Sequence, residues 1–168
     1  LKKYKIIACP GCYPTSILLP LLPLFKKNLI FHKNIIIDSK SGYSGAGRNI
    51  HKRINKKKLN ESLSAYGVGF HRHNSEIGQE LSKIKNNISF TFTPHLSPMF
   101  RGILSTTYVD LNKGMTINSL HNELVKFYKK SKFIKILKKN SLMSTNDVVN
   151  TNNCIISICK SKYNNKAI

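Results

Sequence analysis

The residues that most clearly suggest chemistry lie in one short stretch near the amino end, Ile7–Thr15, which reads Ile-Ala-Cys-Pro-Gly-Cys-Tyr-Pro-Thr. Tyr4–Ala8 is typical of the end of a strand, Pro10-Gly11 of a sharp turn, and Thr15 onward of a helix. We therefore expect the thiol of Cys12 to face the positive end of a helix, where free N–H groups stabilise a thiolate. The same amides can hold the oxyanion that forms when sulfur attacks a carbonyl, so Cys12 is the candidate nucleophile.

Two other interpretations of Cys12 have to be weighed. A lone cysteine in apolar surroundings packs as a small hydrophobic side chain more often than it reacts. Cys9-x-x-Cys12 also has the spacing of a redox pair or of half a zinc site. Because Cys154 and Cys159 are five residues apart, no second Cys-x-x-Cys follows. The sequence therefore predicts no metal site.

Four blocks of the chain, taken in order, resemble the N-acetyl-γ-glutamyl-phosphate reductase family. The block Cys9–Thr15 is similar to the active-site signature that carries the nucleophile of that family. The other three blocks are residues 39–48, residues 71–77, which begin His-Arg-His, and residues 92–106. The resemblance extends from Ile7 to about Ser157 and implies that Cys12 is the nucleophile.

Histidines in the second half of this pattern are the candidates for proton transfer. A helix is predicted to start near Asn74–Glu76, directly after His73. A helix N-terminus disfavours the imidazolium form, so a histidine at this point stays neutral and able to accept a proton. The resemblance implies one histidine for acid/base work and the other, with Tyr66, for substrate contact. We favour His73 for the first role, with His71 as its competitor.

Two arginines and a glycine-rich loop complete the predicted site. A guanidinium suits bidentate binding of a carboxylate or phosphate, which makes Arg72 and Arg101 candidate ligands of an anionic substrate. The loop follows a β-branched run at residues 34–39, and its glycines would let backbone amides approach an anionic group. It is not the dinucleotide fingerprint. The resemblance implies contact with the nicotinamide end of NADP(H) for five residues: Gly11, Ser41, Gly42, Ser44 and Gly45.

The helices and strands predicted around these residues indicate an α+β domain. Helices are expected from Thr15 to a break at Pro20, at residues 75–85 and at 116–130. Strands are expected at residues 34–39, 88–93, 102–110, 132–137 and 154–159, with a turn from Pro94 to Pro98. Strands and helices alternate without the regular spacing of a doubly wound sheet, which favours a mixed sheet with helices on one face.

The resemblance implies the same architecture, similar to the catalytic domain of glyceraldehyde-3-phosphate and aspartate-semialdehyde dehydrogenases. The open sheet face of those domains commonly mediates dimers, so a homodimer or homotetramer is expected. Residues 1–168 are predicted to be the catalytic and dimerisation domain, with the Rossmann cofactor domain mostly absent. The chain opens without Met, which suggests a fragment.

The charge balance is strongly basic, with 28 Lys and Arg against 7 Asp and Glu, a net charge of +21. The excess is mostly lysine and accompanies abundant asparagine and isoleucine, as A/T-rich codons would produce. The lysine clusters at 51–58 and 129–132 lack interleaved stacking aromatics, so no specific nucleic-acid binding is predicted. No apolar run has the length of a membrane span. Four cysteines without a disulfide framework suit a reducing compartment, and the cytoplasm is expected.

The predicted function is NADPH-dependent reduction of N-acetyl-L-glutamyl 5-phosphate to the semialdehyde through a Cys12 thioester, a step of arginine biosynthesis. Three alternatives stay open at this point. A relative acting on an aminoadipyl phosphate in lysine synthesis would share the cysteine and histidine blocks. A basic nucleic-acid-binding domain would owe its affinity to the lysine clusters. A truncated fragment would fold without activity.

Overall fold

A computed structural model describes residues 3–46, 60–163 and 165–168 of the chain. The three α-helices in this part of the chain are α1 (Cys12–Lys26), α2 (His73–Ser82) and α3 (Ile117–Tyr128). The strands are β1 (Ile35–Ser41), β2 (Ser64–Ala65), β3 (Phe90–Leu96), β4 (Ile103–Asp110), β5 (Ile134–Ile136), β6 (Cys154–Ile156) and β7 (Lys166–Ala167).

The main sheet is mixed and has five strands in the order β2-β3-β1-β4-β7. The central strand β1 runs parallel to β3 and antiparallel to β4. Strands β5 and β6 form a separate parallel pair. The prediction of an α+β domain with a mixed sheet is confirmed.

The core lies between one face of this sheet and the helices. In β1 the buried residues alternate with less buried ones, as a strand covered on one face requires. The fully buried side chains come from both layers and include Ile17, Leu21, Ile35, Ile37, Ile77, Leu81, Phe92, Leu120 and Leu124. On the other face Ile36 and Tyr108 remain 52% and 42% exposed. The predicted placement of the helices on one face is therefore correct.

Helix α1 continues through Pro20 and Pro23, although Pro20 was expected to break it. A proline inside a helix removes one N–H donor and leaves the carbonyl four residues earlier without its partner. The carbonyl that Pro23 frees belongs to Leu19, and the Tyr128 hydroxyl of α3 donates to it at 2.7 Å. A neighbouring helix thus replaces a missing backbone hydrogen bond, which the sequence of α1 alone does not reveal.

Two further local predictions are wrong. Tyr4–Ala8 forms no strand; these residues are exposed, and without a neighbouring strand their backbone groups are left to water. The turn expected from Pro94 begins later, because β3 runs through Pro94 to Leu96 along the edge of β1. The basic cluster at 51–58 lies outside the described residues. Among the helices described, none is long and apolar enough to cross a membrane.

Candidate active site

Cys12 is the first residue of α1 and is exposed to solvent. Gly11 caps the helix in an extended conformation, and its carbonyl accepts hydrogen bonds from the Thr15 backbone N–H at 3.0 Å and the Thr15 hydroxyl at 2.8 Å. The prediction of a cysteine at a helix N-terminus is confirmed, with the helix starting three residues earlier than expected. Because Pro14 has no N–H, the free amides beside the sulfur are those of the first two helical residues. An anion at this sulfur therefore faces the positive end of α1.

His73 lies against the turn that carries Cys12. A Cβ atom placed on Gly11 would be only 2.6 Å from Nε2 of His73 and 2.9 Å from Oε2 of Glu76. His73 is the first residue of α2, as the sequence predicted within one position, and Arg72 is its exposed N-cap. The contact explains why position 11 is glycine: any side chain would displace the imidazole.

His71 is held behind His73 in an aromatic cluster. Its Nδ1 accepts a hydrogen bond from the His73 backbone N–H at 3.2 Å, and the two rings are 4.8 Å apart. The rings of Tyr13 and Tyr66 lie 5.6 and 5.4 Å from the His71 ring in edge-on orientations. With Nδ1 occupied as an acceptor, a neutral His71 carries its proton on Nε2. This arrangement makes His73 the histidine closer to the Cys12 turn.

Tyr13 connects the cluster to the sheet. The Tyr66 hydroxyl donates to the Tyr13 hydroxyl at 3.1 Å, and Tyr13 in turn donates to the His95 carbonyl at 3.3 Å. Tyr13 is only 2% exposed, and this burial raises the pKa of its phenol. Tyr13 follows Cys12 directly in the signature but was not predicted as a site residue. Tyr66 contacts the site through Tyr13 and the ring of His71.

Both histidines are biased toward the neutral form. Burial lowers the pKa of His73, the neighbouring Arg72 lowers it further, and Glu76 partly opposes both. Burial lowers the pKa of His71 as well, followed by the charges of His73 and Arg72. The lowered pKa of His73 agrees with the direction predicted from the sequence, but its largest cause is burial rather than the N-terminus of a helix. At neutral pH both imidazoles are therefore uncharged.

Glu76 is a site residue that sequence reasoning missed. Its Oε1 accepts a hydrogen bond from the Gly11 backbone N–H at 2.9 Å, across 65 residues of sequence. From the sequence, Glu76 was placed only near the start of a helix. Its place in the block 71–77 was the available signal. The carboxylate ties the Cys12 turn to the helix that carries His73.

We expect Glu76→Ala to lower the free energy of unfolding by roughly 1–3 kcal/mol, because the Gly11 amide then loses a partner in a half-buried setting. Glu76→Gln retains an acceptor oxygen and is expected to recover more than half of that loss. Urea unfolding of both variants measures the difference. Equal losses in the two variants would show that the hydrogen bond to Gly11 contributes little.

A cavity of about 920 Å³ opens on the other side of Cys12. Among the predicted site residues, Cys12 and Arg101 line it, together with Gly102 and Thr145 of the adjoining loops. Arg101 is exposed, and its guanidinium lies over the Phe100 ring, 4.9 Å from the ring centre. The histidines, Tyr66 and Arg72 lie on the α2 side of the turn. Cys12 therefore lies between His73, which can accept a proton, and a cavity whose lining includes Arg101.

The glycine-rich loop after β1 does not present free amides as expected. The N–H groups of Gly42, Tyr43 and Ser44 donate to the carbonyls of the segment 99–102 at 2.9–3.0 Å. These donors are thus used in holding two loops together and are not free for an anionic ligand in this structure, while contact of the loop with a cofactor stays a prediction. Ser41 is buried, Gly45 is exposed, and Ser44 is half-buried. What the loop does position is Gly102, whose carbonyl pairs with the Gly42 N–H and which lines the cavity.

We expect Gly42→Ala to destabilise the domain by about 1–3 kcal/mol, since the added Cβ would lie 2.5 Å from the Phe100 carbonyl oxygen, a backbone atom that has little room to move. Gly45→Ala is the matched control in the same loop, because no described atom lies within 4 Å of its Cβ position. Thermal unfolding of the two variants compares them. A Gly42→Ala protein as stable as Gly45→Ala would contradict the close approach.

Within residues 3–46, 60–163 and 165–168, no group of three or more His, Cys, Asp or Glu side chains is placed to hold a metal ion. The four cysteines all have free thiols, and Cys154 and Cys159 are half-buried. Burial raises the pKa of the Cys154 thiol. The exposed Cys12 is the cysteine that stands beside both the histidine group and the cavity.

A comparison with protein families finds that residues 12–168 match the model described as semialdehyde dehydrogenase, dimerisation domain. Among curated proteins, the chain is 44% identical over its whole length to a probable chloroplastic N-acetyl-gamma-glutamyl-phosphate reductase of Arabidopsis thaliana, of which it covers 42%. It is 46% identical to the N-acetyl-gamma-glutamyl-phosphate reductase of Thermoanaerobacter pseudethanolicus, over 100% of this chain and 49% of that protein. The chain thus spans about half the length of these relatives.

Solved structures share the fold. A probable aspartate-semialdehyde dehydrogenase from Pseudomonas aeruginosa superposes with a TM-score of 0.72 at 12% identity, over 96% of this chain and 55% of that one. Aspartate semialdehyde dehydrogenase II from Vibrio cholerae superposes with a TM-score of 0.69 at 16% identity, over the same shares of the two chains. At these identities the likeness concerns the architecture alone.

Proposed function

Because the chain belongs to the semialdehyde dehydrogenase dimerisation-domain family, we propose that the protein containing it reduces N-acetyl-L-glutamyl 5-phosphate to N-acetyl-L-glutamate 5-semialdehyde. The proposal assigns the chain the catalytic and dimerisation domain of an enzyme in arginine biosynthesis. The names of the relatives support the substrate. The observation that carries it is Cys12 at the start of α1, between the His73 group and the cavity with Arg101.

The first step requires a nucleophile and a leaving group. The Cys12 thiolate attacks the γ-acyl carbon, the C–O bond to phosphate breaks, and an acyl thioester forms while phosphate departs. The amides at the start of α1 stabilise the negative oxygen during the attack. Arg101, on the cavity side, offers an exposed guanidinium to the phosphate or to the substrate carboxylate.

The second step needs a reductant, NADPH, whose binding site the described residues supply only in part. The described residues offer no glycine-rich turn with free N–H groups for a pyrophosphate, because the N–H groups of Gly42 to Ser44 already donate to carbonyls within the protein. The cavity in front of Cys12 has room for the reactive end of a nicotinamide, whose remainder would be held outside this chain. When bound, NADPH supplies a hydride to the thioester carbon.

The proton transfers fall to His73. Reduction of the thioester leaves an alkoxide that takes up a proton from water. Release of the aldehyde transfers that proton to His73 as the C–S bond breaks, and the imidazolium then returns it to solvent. A neutral imidazole accepts that proton, and burial together with Arg72 keeps His73 neutral at physiological pH. Breaking the C–S bond returns the thiolate of Cys12. Glu76, bonded to Gly11, holds α2 and the cysteine turn in register.

We propose that two copies of the chain pair through the sheet face that carries no helices. Ile36 and Tyr108 are exposed there, and a polar group lies at its centre: Asp38 contacts Lys40 at 2.5 Å and the imidazole of His95 at 3.2 Å. The name of the matching family model, a dimerisation domain, supports this assignment. The other oligomer that we expect, a homotetramer, would consist of two such dimers. Because Cys12 functions as a thiolate, we place the protein in a reducing compartment, the cytoplasm.

The experiment uses the protein at its natural length, supplied in turn with the acetylglutamyl and aminoadipyl substrates. NADPH absorbance at equal enzyme concentration follows each reaction. We expect turnover with the acetylglutamyl substrate to exceed that with the aminoadipyl substrate by at least about 10²-fold in kcat/KM. The reverse preference would assign the protein to lysine synthesis. Absence of turnover with both substrates would overturn the proposed reaction.

A further inference from the structure

Three serine hydroxyls form a hydrogen-bonded chain between the start of α1 and the sheet. The Ser16 hydroxyl oxygen lies 2.7 Å from that of Ser105 on β4, and the Ser105 oxygen lies 2.8 Å from that of Ser39 on β1. Ser39 and Ser105 stand opposite each other in the antiparallel register of the two strands. Ser16 follows Cys12 by one helical turn, and both residues line the same cavity. This hydroxyl chain of Ser39, Ser105 and Ser16 thus connects the helix that carries the sulfur to two adjoining strands.

The hydroxyl chain stands where apolar packing would be expected. The core-facing positions of β1 are Ile35, Ile37, Ser39 and Ser41, and all four are buried. Ser39 is 0% exposed, so its hydroxyl has no access to water. Burying a hydroxyl is costly unless it is hydrogen-bonded, and Ser105 supplies that bond. The change from isoleucine to serine along one face of β1 therefore places a polar group in the core that serves the hydroxyl chain.

The protons of the hydroxyl chain can be assigned, because one end meets a carbonyl, which only accepts. The Ser16 hydroxyl donates its one proton to the Tyr13 carbonyl oxygen at 3.0 Å. Ser105 must then donate to Ser16, and Ser39 must donate to Ser105. The reverse order would set two acceptors, Ser16 Oγ and the Tyr13 carbonyl, against each other at 3.0 Å. The hydroxyl chain therefore runs from Ser39 to the Tyr13 carbonyl.

Tyr13 is the residue that the hydroxyl chain holds. Its N–H is one of the two free amides at the start of α1, directly beside the sulfur of Cys12. Its phenol is anchored as well, since it donates to the His95 carbonyl at 3.3 Å and accepts from the Tyr66 hydroxyl at 3.1 Å. A residue held at both its side chain and its carbonyl has little freedom to rotate. The direction of the Tyr13 N–H is therefore set by contacts on both sides of that residue.

We propose that Ser39, Ser105 and Ser16 are positioning residues for Cys12. The hydroxyl chain holds the Tyr13 carbonyl and so directs the Tyr13 N–H toward the sulfur and toward the oxygen that becomes negative during the attack. Each hydroxyl polarises the next, so the bond to Tyr13 is stronger than the bond that an isolated serine would make. The inference rests on the proposed function, because it gives these serines a part in the attack by Cys12.

Alkylation of Cys12 tests the proposal without substrate or cofactor. Iodoacetamide reacts with the thiolate, and mass spectrometry of the peptide containing Cys12 follows the reaction in the natural-length protein with Cys9→Ser. The ratio of the rate at pH 7 to the rate at about pH 9.5 reports the thiolate fraction, because a change in access affects both rates equally. We expect Ser16→Ala and Ser105→Ala to lower this ratio at least about threefold, since the N–H groups beside the sulfur are then less well directed.

Turnover of the acetylglutamyl substrate gives the second measurement. We expect Ser105→Ala to lower kcat by about 5- to 20-fold and to leave KM within about threefold, because a displaced amide affects the transition state more than the bound substrate. Ser105→Thr retains a hydroxyl and should restore most of kcat and of the alkylation ratio. Thr107→Val is the matched control, since Thr107 is the next core-facing residue of β4 and lies outside the hydroxyl chain. It should leave both measurements unchanged.

Ser39→Ala tests the direction of the hydroxyl chain. Because Ser39 is the terminal donor, its loss leaves the bonds from Ser105 to Ser16 and from Ser16 to Tyr13 in place. We therefore expect a smaller change in both measurements than for Ser105→Ala. A greater loss in Ser39→Ala than in Ser16→Ala would contradict the assigned direction.

Circular dichroism checks that each variant is folded. If Ser105→Ala fails to fold, Ser16→Ala decides the outcome, because alanine suits a half-buried helix position. Folded Ser16→Ala with the alkylation ratio of the wild type would overturn the proposal, whether or not kcat changes. Altered alkylation ratios in a protein whose wild type reduces neither acyl phosphate would support the positioning of Cys12 and overturn the proposed function instead.

Discussion

Replacing Cys12 by serine is expected to lower kcat of the natural-length protein by a factor on the order of 10³ to 10⁶, because the proposed reaction loses the atom that forms its thioester. A hydroxyl at the same position is far less ionised at neutral pH and is a weaker nucleophile. The fold should survive, since Cys12 is exposed and serine is well tolerated at a helix start. NADPH consumption measures the loss, and circular dichroism checks the fold.

Cys9→Ser is the matched control for this prediction. Cys9 lies three residues away, is also exposed, and belongs to the irregular segment before α1 rather than to the helix start. We expect it to retain at least half of the activity. A Cys12→Ser protein within tenfold of wild type would refute the thioester mechanism, and an equal loss in Cys9→Ser would point to a paired role for the two cysteines.

His73→Asn is expected to lower kcat by about 10²- to 10⁴-fold, the range that positioned general acid/base groups contribute. Burial and Arg72 lower the pKa of His73, so its neutral form persists at pH 7 and is lost only as the pH falls through that lowered pKa. The wild-type rate should therefore be flat near neutrality and decline on the acidic side of about pH 6.5. In His73→Asn this acid limb should disappear, because the variant lacks the imidazole that we propose as the base.

His71→Asn separates the two histidines. His71 accepts a hydrogen bond from the His73 backbone N–H and is enclosed by Tyr13 and Tyr66, so its loss should disturb the position of His73 without removing the base. We expect a decrease in kcat at least tenfold smaller than for His73→Asn, with the acid limb retained. A pH profile that loses its acid limb only in His71→Asn would exchange the two assignments.

Several features of the fold could be read from local sequence because they rest on short-range physics. The β-branched run that became β1, the alternation in β3 and the apolar spacing of α2 were each predicted close to their observed bounds. The strand expected at Tyr4–Ala8 failed because a strand needs a partner, and none of the described residues pairs with it. Local pattern indicates what a segment can become, while neighbours decide whether it does.

The interpretation of individual site residues shows the same division. That Cys12 lies at the start of a helix follows from a proline-glycine turn before an apolar run, although the helix begins three residues earlier than expected. That His73 lies at the start of another follows from the polar residues after it. That Glu76 bonds to Gly11, or that Tyr128 supplies the hydrogen bond missing at Leu19, joins residues 65 and 109 positions apart. Such contacts leave no periodic signal in either segment.

The sequence by itself determined the type of domain, the candidate nucleophile and the histidine pair, because residue types, turn residues and periodicity act over a few neighbouring positions. Only the tertiary structure decided that the amides of the loop after β1 are already bonded to segment 99–102. It alone set His73 rather than His71 against the Cys12 turn. The reason is physical: hydrogen bonds and packing between distant segments depend on where the whole chain folds, and no short stretch encodes that position.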